Sequence, residues 1–209
     1  IIFSHAYIKL NYNFLGRRKM PYKVFVDMDS TLNEFTDAYV RHNNMTFDDD
    51  LILSDANLIH YEITKNIELD EEELERRKEI IFRTPQFWLN IPVKPGAYEA
   101  LEWINDNFET FILTAPWLGN FDMFKEKLSW VKLYFPFFEL NKVVFSTRKD
   151  IITGSDTILI DDNPHNLETF RGKKIAFHYN FNKDIEVDGR IYQWSDTQEV
   201  LKAYLPERG

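Results

Sequence analysis

The chain of 209 residues contains no cysteine. Disulfides, thiolate metal sites and cysteine nucleophiles are therefore excluded, and nothing in the chain calls for oxidative folding, so a reducing cytosol is the expected compartment. No run of about 18 apolar residues is present, so no membrane-spanning helix is expected. Positive charge is also in short supply. Twenty-five Lys+Arg against 34 Asp+Glu leave a net charge of −9, and the summed field repels phosphate backbones, which argues against a non-specific duplex nucleic-acid binder. A small anionic substrate would need positive charge gathered locally. Internal repeats and low-complexity stretches are absent.

What is there is the composition of a folded globular protein, with 44% hydrophobic and 16% aromatic residues, enough for a sizeable core in one large domain or two small ones. The stretch 1–19 lacks a charged start, a clean apolar run and a small-residue cleavage site, so it reads as neither signal peptide nor membrane span. Met20-Pro21-Tyr22-Lys23 directly precedes a strong strand, and residues 1–19 are expected to be an upstream or added extension outside the fold. The sequon Asn44-Met45-Thr46 would matter only in a secreted protein.

Five short segments are near-continuous apolar runs: Lys23–Val26, Thr110–Leu113, Lys142–Phe145, Thr157–Ile160 and Lys174–Phe177. Such runs suit parallel strands covered on both faces. Helical patterns lie between or after them, over Gly96–Phe108, Phe121–Phe135, Asn166–Phe170 and Thr197–Leu205. The alternation predicts an α/β doubly wound, Rossmann-like parallel sheet flanked by helices. From Phe35 to about Ile91 the rhythm breaks, and the pattern is helical with no convincing strand. The clearest helix there has Asp70 as N-cap, Glu73 at the capping-box position, Glu72–Arg76 and Glu73–Arg77 at i,i+4 spacing, and Thr84-Pro85 as its end. Its charge run reads as a solvated first turn favoured by the helix dipole.

The first strand runs into Asp27-Met28-Asp29-Ser30-Thr31. In extended chain the side chains of Asp27 and Asp29 leave on the same side, at the carboxyl end of a strand, where open α/β sheets bind ligands. Two carboxylates there call for a cation or for divided roles. Mg²⁺ with a substrate phosphoryl group supplies the first; a nucleophile beside an acid supplies the second. The alternative is that both residues are turn carboxylates capping the next helix. At the next strand end, Thr114 and the backbone N–H groups after it suit a phosphate oxygen. Asp161-Asp162 closes the fourth run, and Ser146-Thr147-Arg148-Lys149 is the only basic pair at a strand end. There Lys149 could neutralise phosphate and nucleophile together.

Asp-x-Asp-x-Thr, Thr, Lys and Asp-Asp at four successive strand ends are the four motifs of the haloacid dehalogenase superfamily of aspartate-nucleophile phosphohydrolases, which the chain resembles. A closer resemblance rests on Val26–Phe35, Phe87-Trp88, Pro95–Leu101, Leu128–Phe135 and Leu159–Asp162, which look like the 5′(3′)-deoxyribonucleotidases. The likeness implies a catalytic core from residues 20–34 and 93–209, with a small helical cap over 35–92. It implies Asp27 as the residue that forms an aspartyl-phosphate and Asp29 as acid and then base. Mg²⁺ would be held by Asp27, the backbone carbonyl of Asp29, and Asp161, with Asp162 behind them. Phosphate would meet Thr114, Lys149 and the backbone at Met28 and Ala115, and the nucleobase would meet Phe35, Phe87 and Trp88. Arg148 is the alternative to Lys149, because the interval to Asp161 is a residue or two longer than the family's. Ser30 and Ala115 also depart from it, Ser30 standing where many nucleotidases have glycine, and Ala115 lacking a hydroxyl.

The expected substrate is a small nucleoside monophosphate, with no nucleic-acid or membrane partner; a homodimer stays open. A sugar phosphate or phosphoserine would use the same chemistry without the aromatic cap, and a nucleic-acid 3′-phosphate end is disfavoured by the acidic balance. A non-catalytic binding protein of the same fold would need a broken motif, yet Asp27, Asp29 and Asp161 are all present.

Overall fold

The computed structural model describes residues 22–205, so the extension expected over 1–19 lies outside the described residues. Six strands form one parallel sheet: β1 (Lys23–Val26), β2 (Glu109–Thr114), β3 (Val143–Phe145), β4 (Thr157–Asp161), β5 (Lys173–Phe177) and β6 (Gly189–Ile191). Their order is β3-β2-β1-β4-β5-β6, every neighbouring pair parallel. The apolar runs are explained by this placement. Every residue of β4 is buried, as are Val24, Phe25 and Val26 of β1, because helices cover both faces of the central strands. Edge strand β3 is only half-buried.

Register brings the strand ends level. Val26 pairs with Ile112 on one side and Ile160 on the other, and Thr114 pairs with Phe145. Order reverses at β1, since the chain winds out to β2 and β3 and then returns to β4 across it. A crevice opens at such a switch point, beyond the carboxyl ends.

The five expected strands are present. β6, a Gly-Arg-Ile run too short to register as a pattern, extends the sheet beyond β5. The helices that cover the sheet are, in chain order, α3 (Ala97–Asn107), α4 (Asp122–Tyr134), α5 (Pro164–Thr169) and α6 (Thr197–Leu201). Pro164 occupies the first turn of α5, where its missing N–H costs nothing, so this helix begins before the expected Asn166. Gly96 precedes α3 with φ 78°, and a Cβ there would lie 3.3 Å from that of Trp194.

Between β1 and β2 come α1 (Phe35–Phe47) and α2 (Glu71–Arg83), with short 3₁₀ turns at Asp55–Asn57 and Ile63–Asn66. These pack around their own apolar cluster, which includes Tyr39, Ile81, Phe82, Phe87, Trp88 and Ile91 and is closed from the sheet side by Met123 of α4. The segment's two ends meet each other: Asn33 and Val93 form an isolated antiparallel bridge, and Glu34 N–H donates to Pro92 C=O at 2.8 Å. Asp70 caps α2, its side chain accepting from the N–H of Glu73 at 2.9 Å. The i,i+4 pairing differs from expectation in one place. Arg76 forks onto both oxygens of Glu73 at 2.7 and 2.8 Å instead of reaching Glu72, while Arg77 bonds Glu73 and Asp49 at 2.7 Å each. A planar guanidinium takes two oxygens of one carboxylate more readily than one oxygen of another.

The main core joins α3 and α4 to the sheet through Leu101, Ile104, Trp130, Val131 and Phe135. Trp130 is fully buried, and its Nε1–H donates to Ile91 C=O at 2.7 Å, stitching the two apolar clusters together. Trp130→Ala is expected to destabilise the protein by about 3–5 kcal/mol through cavity formation and the orphaned carbonyl. Urea denaturation checks this; a loss below about 1 kcal/mol would show that the site collapses around the missing ring.

Candidate active site

β1 delivers Asp27 into the crevice with its N–H still bonded to Ile160 C=O at 2.9 Å. Met28 turns the opposite way and is fully buried in the core, so only its backbone can meet a ligand. The chain then folds into a tight turn, with the N–H groups of Leu32 and Asn33 both donating to Met28 C=O. Ser30 sits in this turn at φ 60°, a conformation in which glycine would be unstrained. Asn33 clamps it, accepting from Ser30 N–H at 3.0 Å and donating to Asp29 Oδ1 at 3.1 Å. From outside, Tyr179 donates to Ser30 C=O at 2.6 Å and Trp194 Nε1–H to Thr31 C=O at 3.0 Å.

Around Asp27 the other strand ends converge. Lys149 opens a short 3₁₀ turn after β3, is 2% exposed, and bonds Asp27 directly and Asp161 Oδ2 at 2.7 Å. Arg148 instead lies in solvent and forks onto Asp150 at 2.7 Å, so of the two basic residues Lys149 is the one that reaches the carboxylates. Asp161 is held by Asn163 N–H at 2.8 Å and by Asn166 Nδ2, both from the start of α5. Thr31 Oγ1 stands between Asp27 Oδ2 (3.4 Å) and Asp162 Oδ1 (3.3 Å), its one proton serving either.

Asp29 faces a different cation. Lys127 of α4, 1% exposed, bonds Asp29 directly, Thr114 Oγ1 at 2.8 Å and Ala115 C=O at 3.2 Å. Thr114 is itself fully buried at the end of β2. Sequence reasoning missed Lys127, although a signal was there. It shares one helix face with Met123, Trp130 and Val131, at a position where an apolar residue is the rule.

Beside these groups, between the sheet's carboxyl edge and the α1–α2 segment, lies a pocket of about 250 Å³ with Asp29 and Ser30 at its floor and Phe35, Tyr61, Phe82 and Trp88 among its walls. Phe35 stacks on Trp88 with ring centroids 5.9 Å apart. Phe87, expected on the base, does not line this pocket. It is fully buried behind it, stacked on Phe82 and edge-on to Trp88 and His42. Tyr61, Phe82 and Phe181 are the wall aromatics not foreseen. A larger cavity of about 490 Å³, lined by Asp55, Lys94, Tyr179, Tyr192 and Trp194, lies on the far side of the turn and includes neither Asp27 nor Asp29.

Residues 20–205 match the family model described as 5′ nucleotidase, deoxy (pyrimidine), cytosolic type C protein. The chain belongs to this deoxyribonucleotidase family. A 5′(3′)-deoxyribonucleotidase of Clostridium acetobutylicum is 31% identical over 183 residues, covering 86% of this chain and 96% of that one. A second, from Bacillus subtilis, is 28% identical over 178 residues, covering 85% and 97%. Among solved structures, a haloacid dehalogenase family hydrolase of Deinococcus radiodurans with bound phosphate and sodium superposes with TM-score 0.59 at 10% identity, covering 90% of this chain and all of that one. A hydrolase from Pseudomonas syringae gives 0.56 at 15% identity. The structural likenesses carry the fold, and the family makes the chain a phosphoric monoester hydrolase.

In this deoxyribonucleotidase fold, carboxylate oxygens of Asp27, Asp161 and Asp162 all lie within 4.8 Å of one another. Asp162, expected behind the cluster, contributes to it directly, while the Asp29 carboxylate is turned to Lys127 and Asn33. Three buried carboxylates against one Lys149 leave two negative charges uncompensated, which is the charge and donor chemistry that fits one hard divalent cation. Without a cation the strain shows in protonation. Burial foremost, with Asp161 and Asp29 adding to it against Lys149, pushes Asp27 up to about 7. Burial foremost, then Asp27 and Asp161, hold Asp162 well above the usual carboxylate range against Lys149. Lys149 is held above its ordinary range, its own burial outweighed by Asp161 and Asp27.

The sign for stability follows. Folded Asp27 keeps its proton to about 7, while an unfolded one loses it near 3.8, so the folded state binds more protons in between. Stability of the metal-free protein should therefore fall as pH rises through that window. A divalent cation at a hundred times its Kd should add about 2.7 kcal/mol and flatten the fall, and Asp161→Asn should abolish most of that gain. Thermal melts on either side of the window, with cation or chelator, check this; a midpoint indifferent to cation would mean the cluster holds none.

Proposed function

We propose that the protein is a Mg²⁺-dependent phosphatase that removes the 5′-phosphate of deoxyribonucleoside and ribonucleoside monophosphates through an aspartyl-phosphate. The observation that carries this is the pairing of two neighbouring carboxylates with separate buried cations, Asp27 on Lys149 and Asp29 on Lys127, with Asp29 reaching the floor of an aromatic-walled pocket. Residues 20–34 and 93–209 are the catalytic core in this reading, and 35–92 the cap that carries Phe35, Phe82 and Trp88. A nucleoside monophosphate is the small anion that needs both positive charge and stacking surface, which is worth roughly 1–3 kcal/mol per base.

An Asp27 oxygen attacks phosphorus in line with the ester oxygen. The bond from phosphorus to the nucleoside 5′-oxygen breaks, and Asp29 gives that oxygen its proton, so the nucleoside leaves neutral. Asp29, now a carboxylate, takes a proton from water. The water oxygen bonds to phosphorus, the bond from phosphorus to Asp27 breaks, and inorganic phosphate leaves with both aspartates regenerated. Lys149, Thr114 and the backbone N–H groups at Met28 and Ala115 are the donors for charge on the transferring group. Asp27, Asp161 and the Asp29 carbonyl would hold Mg²⁺, joined by Asp162, and the ion would supply compensating charge for nucleophile and phosphoryl oxygens. The absence of cysteine, and of any helix among the described residues long and apolar enough to cross a membrane, supports a cytosolic setting for this chemistry.

Asp27→Asn is expected to abolish phosphate release from all substrates while leaving the melting curve close to wild type; a near wild-type rate would discard the covalent mechanism. Phe35→Ala or Phe82→Ala should raise KM for nucleotides roughly ten-fold while changing KM for 4-nitrophenyl phosphate little, as the loss of one stacking contact predicts. Equal effects on both substrates would make these rings packing residues. Wild-type hydrolysis of the aryl phosphate but of no nucleotide would remove the nucleotide assignment and keep the core chemistry.

A further inference from the structure

Lys127 is a buried charged group in direct contact with Asp29 for which the mechanism above has no step. An ammonium has three donors, and here all three are committed: to the Asp29 carboxylate, to Thr114 Oγ1 at 2.8 Å and to Ala115 C=O at 3.2 Å. Its Nζ also lies 4.9 Å from the centroid of the Trp88 ring, which shields it from the pocket side. A lysine at 1% exposure on an otherwise apolar helix face loses its hydration, and a leucine or methionine would fill the same space without that loss. Its partners are not those of a packing residue. They are the acid–base carboxylate and the end of the strand beside it.

We propose that Lys127 is a positioning residue for Asp29: with Asn33 on the other oxygen, it fixes the carboxyl group between its two proton transfers. Asp29 Oδ2 is taken by Lys127 and Oδ1 by Asn33 Nδ2 at 3.1 Å, so both oxygens are pinned while about a quarter of the side chain stays open to the pocket. After the proton has gone to the leaving oxygen, Asp29 is a free carboxylate until water gives one back. The ammonium is the charge that faces it during that interval. Trp88 adds a geometric link, because the ring that lies over the ammonium also walls the aromatic pocket. The acid–base group and the pocket wall are thus braced against the same atom.

This inference rests on the role given to Asp29 above, and leaving-group chemistry tests the two separately. A nucleoside 5′-alkoxide must be protonated as it leaves, whereas 4-nitrophenolate needs almost no help, so damage to the acid shows on the first substrate and hardly on the second. Asp29→Asn, Lys127→Met and the double variant are to be compared on a deoxynucleoside monophosphate and on 4-nitrophenyl phosphate. Lys127→Met should lower kcat on the nucleotide at least ten-fold, lower it less than about three-fold on the aryl phosphate in the single-turnover formation of the aspartyl-phosphate, and cost less than about two-fold when Asp29 is already Asn. Lys127→Arg should recover part of the nucleotide rate by restoring the charge. Equal losses on both substrates, or a full additive loss in the Asp29→Asn background, would overturn the proposal and make Lys127 a phosphate-binding or purely structural residue. If Lys127→Met fails to fold, the ratio of the two substrates in Lys127→Arg and Lys127→Gln decides in the same way. If wild type cleaves no nucleotide, a simple alkyl phosphate takes its place, and a selective loss there keeps Lys127 while discarding the nucleotidase reading.

Discussion

Mutual repulsion among three carboxylates, confined within 4.8 Å and almost out of reach of water, is the constraint to which this end of the molecule is built. One lysine compensates a single charge, and everything else around the cluster is a way of holding the remainder in place. Asn163 and Asn166 give Asp161 three short contacts from the first turn of α5, where the helix dipole also favours negative charge. Thr31 sits between Asp27 and Asp162, which assigns its hydroxyl a task that a branched apolar residue could not perform. A parallel sheet makes such crowding possible, since its register brings the carboxyl ends of strands far apart in sequence to one level.

Two lysines divide the work in space. Lys149 arrives from the turn after β3 and meets Asp27; Lys127 arrives from the middle of α4 and meets Asp29. Both are nearly inaccessible, yet the protein as a whole carries net charge −9. Each of these lysines is matched by at least one carboxylate, so neither supplies surplus positive charge against the overall negative field. The turn that follows the two aspartates is braced from the far side by Tyr179 and Trp194, both downstream of β5. The C-terminal stretch thus has a function in the site that its own sequence does not advertise.

Much of this was legible in the sequence because it depends on strand ends. Continuous apolar runs marked the strands, and polar residues placed directly after them fell, as geometry requires, into the crevice. What was illegible depends on contacts between distant elements. β6 is three residues of no distinctive pattern, defined only by its pairing with β5. Phe87 and Trp88 are equivalent on paper, but the turn sends one ring behind the other, and Phe82 from α2 takes the place expected of Phe87. Lys127 did stand out of pattern on its helix, but it could be recognised only by allowing that a charge might belong inside. Ser30 shows the converse: a departure from the expected glycine proves affordable because Asn33 and Tyr179 hold the turn at φ 60°.

The antiparallel bridge between Asn33 and Val93 carries a consequence for how the molecule can change over generations. Because the chain re-enters the sheet domain beside the point where it left, the 59 residues between are, to the rest of the protein, one long loop with its ends already joined. Closing a longer loop costs little, about 0.6 kcal/mol for each doubling of its length. Insertions, deletions or wholesale exchange of that segment can alter what the pocket admits while the register of β1, β2 and β4, and with it the spacing of the carboxylates, stays untouched. On the function proposed above, substrate range and bond-breaking chemistry are in this way open to separate inheritance.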